Sequence, residues 1–164
     1  MKNKIKVIII DDEALARQIT KNYLSKRSDI EIIAECSDGF DAIKKISELK
    51  PDLIFLDVQM PKLTGFEMIE LLDSPPFIIF TTAYDHFAIK AFEVNAIDYL
   101  LKPFSEERFN AALQKAIEKL SSKNTQQFSL DNIIKTNDQK EEFLERVVVK
   151  ESSKIVIIPV EEIK

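Results

Sequence analysis

Four short apolar runs in this chain end in residues that carry chemistry. Asp11-Asp12 follows the first, Asp57 ends the second, Thr81-Thr82-Ala83 the third, and Lys102-Pro103 the fourth. If the fold brings these ends together, three carboxylates, a hydroxyl and an ammonium share one small space. Carboxylates so placed repel, and their pKa values rise unless a cation intervenes. A site made of oxygen donors suits a hard divalent ion such as Mg²⁺, which usually keeps several of its waters. His86 and Cys36 are the single histidine and single cysteine, so no zinc-type cluster forms. Lys102 supplies a point charge that can pair with Asp57 or with a phosphoryl oxygen, and Thr82 can donate to the same group. The set has the parts of a phosphoryl acceptor: a carboxylate nucleophile, a place for a metal, and cationic and hydroxyl donors. Taken singly, each part has an ordinary reading. Asp11 and Asp12 can cap a helix, Asp57 can be a loop residue before Pro61, Thr82 a turn hydroxyl and Lys102 a solvated charge.

What decides between these readings is the framework. Ile5 to Ile10, Ile30 to Ala34, Leu53 to Leu56, Phe77 to Phe80 and Ile97 to Leu101 read as strands, mostly apolar throughout, as in a parallel sheet buried on both faces. Between them lie helical segments: Ala14 to Ser25 with Leu15, Ile19 and Tyr23 on one stripe, and Asp38 to Leu49 with Ala42, Ile43, Ile46 and Leu49 inward. Gly65 to Leu72 and Phe87 to Val94 follow, and Ser105 to Leu120 closes with Phe109, Leu113, Ala116, Ile117 and Leu120 as its stripe and Ser105 as N-cap. Five strand–helix alternations in about 120 residues predict an α/β fold with a five-stranded parallel sheet, helices on both faces and right-handed crossovers. Ligands in such sheets sit beyond the carboxyl ends of the strands. All the residues named above stand there, so the joint functional reading outweighs the separate ones.

After Leu120 the character changes. The reading is a first domain over 1–121, a polar, weakly helical linker over 122–145, and a second element over 146–164. In the last, Arg146 to Lys150 and Lys154 to Val160 form a hairpin around Glu151-Ser152-Ser153. A lone hairpin is marginal in water, so this piece reads as incomplete.

Composition bounds the rest. The chain has 164 residues, 45% of them apolar and 31% charged, with net charge -5, so a globular core is expected and a basic nucleic-acid face is not. No apolar run spans a bilayer, the start lacks a cleavage site, and one cysteine excludes an internal disulfide; a soluble cytoplasmic protein without membrane contact is expected. Gly39 and Gly65 are the only glycines, which excludes a P-loop or a dinucleotide fingerprint.

Ile8-Ile9-Ile10-Asp11-Asp12-Glu13, Leu56-Asp57-Val58-Gln59-Met60-Pro61, Gly65, Thr82-Ala83 and Lys102-Pro103-Phe104, in this order and spacing, resemble the receiver domain of bacterial two-component response regulators. The resemblance spans residues 4 to about 120. It implies the flavodoxin-like, doubly wound strand order 2-1-3-4-5 with five helices. It also implies that Asp57 accepts a phosphoryl group from a sensor histidine kinase, with Mg²⁺ held by Asp12, Asp57 and the backbone carbonyl of Gln59, and Asp11 assisting. Lys102 would contact the phosphoryl group and precede a cis bond to Pro103. Thr82 would be drawn toward phospho-Asp57 and Tyr99 would turn inward behind it. Many receivers form homodimers through the fourth helix, fifth strand and fifth helix; Phe87, Phe92 and Val94 cannot all face inward on one helix, which leaves apolar surface there.

Phe80 to Asp85 and Ala91 to Phe104 further resemble receivers attached to LytTR (LytR/AlgR-type) output domains, and 146–163 resembles the opening strands of that DNA-binding domain. DNA contact would then come only through the part beyond Lys164. The implied role is a phospho-accepting signalling domain rather than an enzyme. An aspartate-nucleophile phosphatase is disfavoured, because Gln59 stands where the haloacid-dehalogenase pattern places a second aspartate. The remaining alternative is a phosphorylation-independent pseudo-receiver that acts by protein contact alone.

Overall fold

The computed structural model describes residues 3–136, 146–151 and 154–159. The chain divides into two compact units, Met1–Leu120 and Ser121–Lys164. In the first, strands β1 (Ile5–Ile10), β2 (Ile30–Cys36), β3 (Leu53–Asp57), β4 (Phe77–Thr82) and β5 (Asp98–Leu101) form one parallel sheet in the order β2-β1-β3-β4-β5. The helices are α1 (Ala14–Ser25), α2 (Gly39–Leu49), α3 (Gly65–Glu70), α4 (Ala88–Glu93, after a 3₁₀ turn at Asp85–Phe87) and α5 (Glu106–Thr136). This is the five-stranded, doubly wound, flavodoxin-like arrangement expected from the sequence.

The apolar runs are explained by the two faces of the sheet. Ile8 and Ile10 of β1 and Ile54 and Leu56 of β3 bury into one layer with Ala42 and Ile46 of α2 and Phe66 and Met68 of α3. Their neighbours Val7, Ile9, Leu53 and Phe55 bury into the other, with Leu24 of α1 and Phe109, Ala112, Leu113 and Ala116 of α5. Alternate side chains of a strand point to opposite faces, so a strand covered on both sides must be apolar at every position. Phe55 stacks on Phe109 with ring centroids 5.0 Å apart, which ties the centre of the sheet to α5.

Local signals start the helices. Asp38 accepts the Asp41 N–H at 2.9 Å to cap α2, and Thr64 with Glu67 forms a reciprocal capping box on α3. Ser105 Oγ accepts the Arg108 N–H at 3.0 Å at the start of α5. Helix α1 has Glu13 at its N-cap with no side-chain cap bond, so neither Asp11 nor Asp12 is used as the capping residue.

Three sequence expectations change. Leu49, read as part of the inner face of α2, is 40% exposed at the end of that helix. The stripe Leu15–Ile19–Tyr23 is not the inner face of α1: Leu15 is 73% exposed and Ile19 38%, while Thr20 and Leu24 are buried and Tyr23 half-buried. The inner face lies one residue, about 100°, further round. Helix α5 also does not stop at Leu120 but runs to Thr136. No glycine or proline stands between Pro103 and Pro159 to interrupt its hydrogen-bond ladder. The expected linker is thus helical over its first part, and 137–145 lies outside the described residues, as does Val160. In the second unit, β6 (Arg146–Glu151) and β7 (Lys154–Pro159) pair antiparallel as the expected hairpin, with Val147 opposite Ile158 and Val149 opposite Val156.

Gly65 is where the chain passes closest to the end of β3. Its N–H donates to the Val58 carbonyl at 2.9 Å, and a Cβ there would lie 2.6 Å from the Asp57 carbonyl oxygen. A Cβ at Gly39 would meet only the flexible Leu63 side chain, at 2.8 Å. Gly65→Ala is therefore expected to cost about 1–3 kcal/mol of stability in urea unfolding, as overpacking against backbone does, and Gly39→Ala distinctly less.

Candidate functional site

The register of β1 with β3 pairs Ile10 with Leu56, so the residues that follow, Asp11 and Asp57, emerge side by side at the carboxyl end of the sheet. Both are only 3% exposed. Asp11 Oδ1 accepts the Glu13 N–H at 2.9 Å and its Oδ2 accepts Lys102 Nζ at 2.7 Å. Arg17 Nη1 donates to the Asp11 carbonyl at 2.7 Å and fastens the β1–α1 turn. Asp57 Oδ1 accepts the Gln59 N–H at 3.2 Å, and Lys102 Nζ stands 3.6 Å from Asp57 Oδ2. The ammonium therefore sits nearer to Asp11 than to Asp57, and also lies 3.4 Å from Glu13.

Lys102 reaches the group from β5's end of the sheet. Its N–H donates to the Thr82 carbonyl at 2.7 Å, and the following bond to Pro103 is cis. Asp12 and Glu13 are exposed, and one carboxylate oxygen from each of Asp11, Asp12, Glu13 and Asp57 lies within 4.8 Å of the others. The structure thus brings together Asp11, Asp12, Asp57 and Lys102, with Gln59 contributing a backbone N–H. Glu13 and Arg17 complete the arrangement. Sequence reasoning assigned neither of them a role, although Glu13 adjoins Asp12 and Arg17 lies one helical turn beyond it.

Crowding shows in the proton affinities. Burial, and then the charge of Asp11, push the Asp57 carboxyl from its ordinary 3.8 up to about 7, with Lys102 and the Gln59 N–H opposing. For Lys102, burial works against the charged form, but the hydrogen bond and charge of Asp11 outweigh it and hold the ammonium above its ordinary range.

Thr82 is fully buried at the end of β4, and its Oγ1 accepts the Tyr84 N–H at 3.3 Å. Tyr99 is half-buried, and its hydroxyl donates to the Tyr84 carbonyl. The hydroxyl and the ring are therefore linked through the backbone of one loop residue, Tyr84, which sequence reasoning did not single out. In this conformation the Tyr99 hydroxyl is tied to that loop and also interacts with the Thr82 side chain. Beside the carboxylates, the exposed Leu15 and Ile19 join Ala16, Ala83, Pro103 and Phe104 in an apolar groove of about 390 Å³ that Glu13 and Lys102 also line.

A parallel sheet of this order with an acidic pocket and a lysine at its carboxyl rim defines a class of signalling domain, and the comparisons agree. Residues 7–114 match the response regulator receiver domain, and the chain belongs to that family of two-component proteins. It is 47% identical over 125 residues to the transcriptional regulatory protein BtsR of Escherichia coli K12, which covers 75% of this chain and 51% of that protein. It is 40% identical over 164 residues to an uncharacterized response regulatory protein of Yersinia pestis, covering 98% and 64%. Among solved structures, the response regulatory domain of MrkE from Klebsiella pneumoniae is 39% identical with a TM-score of 0.66, covering 71% of this chain and 98% of that one. The receiver domain of AraT from Geobacillus stearothermophilus is 31% identical with a TM-score of 0.63. The chain spans about half the length of the first curated relatives it matches.

The raised affinity of Asp57 has a sign that can be tested. Between about pH 4 and 7 the folded state holds a proton that the unfolded chain has released, so stability falls as pH rises through that window and the penalty is complete above it. Asp57→Asn removes the penalty. In metal-free buffer it is expected to be more stable than the parent by about 1–3 kcal/mol at pH 8 in urea titrations, with the gain gone near pH 4.

Proposed function

We propose that this protein is the phospho-accepting response regulator of a two-component system, with Asp57 as the acceptor. The observation that carries the reading is the buried Asp57 carboxylate, facing Lys102 across an acidic cluster at the carboxyl rim of the sheet. An Asp57 oxygen attacks the phosphorus of a kinase phosphohistidine. The P–O bond forms as the P–N bond breaks, and the departing imidazole takes up a proton from solvent. Lys102 pairs with the incoming phosphoryl oxygens, and the Thr82 hydroxyl exchanges its contact with Tyr84 for one with the phosphoryl group. Tyr99 then leaves the Tyr84 carbonyl and turns inward.

The donor set fits Mg²⁺. It is made of oxygen atoms only, and four carboxylates lie close together, three of them beside one ammonium. Asp12, Asp57 and the Gln59 carbonyl would hold the ion, with Asp11 assisting and Glu13 within reach. When bound, Mg²⁺ screens the negative charge of the reacting phosphoryl group.

The partner is a sensor histidine kinase. The groove of Leu15 and Ile19 suits an apolar helical surface that presents a histidine to Asp57. Exposed Ile89, Phe92 and Leu101, 76%, 82% and 46% accessible, support homodimer formation through α4, β5 and α5. Phe87 and Val94 instead pack on the core.

Transcription control by a LytTR-type DNA-binding output is supported by three things: the resemblance of 146–163 to that domain's opening strands, the β6–β7 hairpin, and the transcriptional regulators among the relatives. The register pairs Val147 with Ile158 and Val148 with Ile157. The role is signalling rather than turnover of a substrate. Cys36, buried with its thiol pushed up to about 12, carries no reactive thiolate and suits the cytoplasm.

Intact-mass spectrometry with acetyl phosphate tests the central claim. One Mg²⁺-dependent phosphoryl adduct is expected, absent in Asp57→Asn; no adduct under any condition would turn the reading to a pseudo-receiver. Leu15→Asp is expected to slow transfer from the cognate kinase by about tenfold or more while leaving phosphorylation by acetyl phosphate unchanged.

A further inference from the structure

Asp12 is an exposed member of the acidic cluster, and the two peptide groups that flank it are both held. The carbonyl before it, that of Asp11, accepts Arg17 Nη1 at 2.7 Å. The N–H after it, that of Glu13, donates to Asp11 Oδ1 at 2.9 Å. Asp11 is itself fixed by Lys102 and by its own N–H, which donates to the Cys36 carbonyl at 3.0 Å just past the last paired residues of β1 and β2. The guanidinium is anchored from behind. Arg17 Nε lies 3.7 Å from Glu35 Oε1, near the end of β2, while Lys21 Nζ meets the other oxygen of Glu35 at 3.1 Å. A planar guanidinium can face a carbonyl and a carboxylate at once, which an ammonium on a flexible stem does not do with the same geometry.

Charge alone does not account for this arginine. Helix α1 has no acidic residue in its first turn, and the peptide dipoles oppose a cation near a helix start. A cation beside carboxylates also repels any metal ion that would bind them. What the guanidinium supplies is direction. Asp11 is 3% exposed, and a buried carbonyl needs a donor. A donor that fixes the Asp11–Asp12 peptide plane also fixes where the Asp12 side chain leaves the backbone. We propose that Arg17 is a positioning residue for the metal site: held by Glu35, it keeps the Asp12 carboxylate in place for Mg²⁺ by orienting the peptide in front of it. The inference rests on Asp12 and Asp57 being metal ligands. Groups that orient ligands without touching the ion change metal affinity by roughly 10–100-fold when removed.

Position and charge pull Mg²⁺ affinity in opposite directions, so the sign of the change separates them. Mg²⁺ is titrated into the ¹⁵N-labelled full chain without any phosphodonor, and affinity is read from amide shifts, with Gln59 as reporter. Urea unfolding in metal-free buffer reports stability separately. Arg17→Ala is expected to bind Mg²⁺ about tenfold or more weaker than the parent, and Arg17→Lys, which keeps the charge and loses the fork, at least about threefold weaker. Lys21→Ala takes a cation from the same glutamate without touching the turn, and its affinity stays within about twofold of the parent. An Arg17→Ala chain that binds Mg²⁺ as tightly as the parent, or tighter, overturns the inference whatever its urea midpoint, since a merely structural arginine moves stability and not the affinity of the folded chain. Parent affinity in Arg17→Lys overturns it as well, as does a loss in Lys21→Ala equal to that in Arg17→Ala. If the parent itself shows no saturable Mg²⁺ shift, it is the metal reading that fails, and this inference falls with it.

Discussion

Asp11 and Asp57 are withdrawn from water and set side by side, and the rest of the first unit is organised around the repulsion that results. Adjacent strands β1 and β3 deliver the two carboxylates in register, which no loop could do with the same constancy. Their compensating cation does not come from an adjacent strand end. It comes from Lys102, beyond β4 and β5, whose four-carbon stem spans the distance and whose compact ammonium fits among three acids. The compensation is incomplete, since Asp57 remains far more basic than an ordinary aspartate. A buried group left partly unpaired is costly to stability and useful for chemistry, and sites of this kind concentrate perturbed proton affinities.

The sheet explains why so much could be read from the residues alone. A strand covered on both faces has little polar option, so β1, β3 and β4 announce themselves as nearly continuous apolar runs, and the site residues stand among the first polar ones after them. Where covering is one-sided the signal weakens. In α1 the apolar Leu15 and Ile19 outweigh a buried Thr20 in any count of hydrophobic spacing, and the inner face was placed one residue out of phase. The error is informative, because apolar residues left outside by the fold line a groove beside the acidic pocket.

Other features had no signature of their own. Arg17 acts on a backbone carbonyl, Tyr84 acts through its own peptide groups, and Lys102 prefers Asp11 to Asp57; each depends on distances that sequence spacing does not encode. The extent of α5 was underestimated for the opposite reason: a helix needs no apolar stripe to continue when nothing breaks it. Gly65 stood in the motif that marked the family, but its physical role became visible only as an approach to the Asp57 carbonyl too close for any side chain.

The strand order also bears on how the molecule is made. β1 pairs with β2 and β3, so the first 57 residues carry three of the five strands, whereas β4 and β5 add only at one edge. Lys102 lies 45 positions after Asp57, an interval of roughly 2–9 s at ribosomal rates of about 5–20 residues per second. Throughout that interval the chain holds its acidic strand ends without the lysine that pairs with them. Arrival of the last strand then relieves part of that repulsion, and the rest stays in the finished domain. The counter-ion of the acidic rim is thus among the last parts of the sheet to be made.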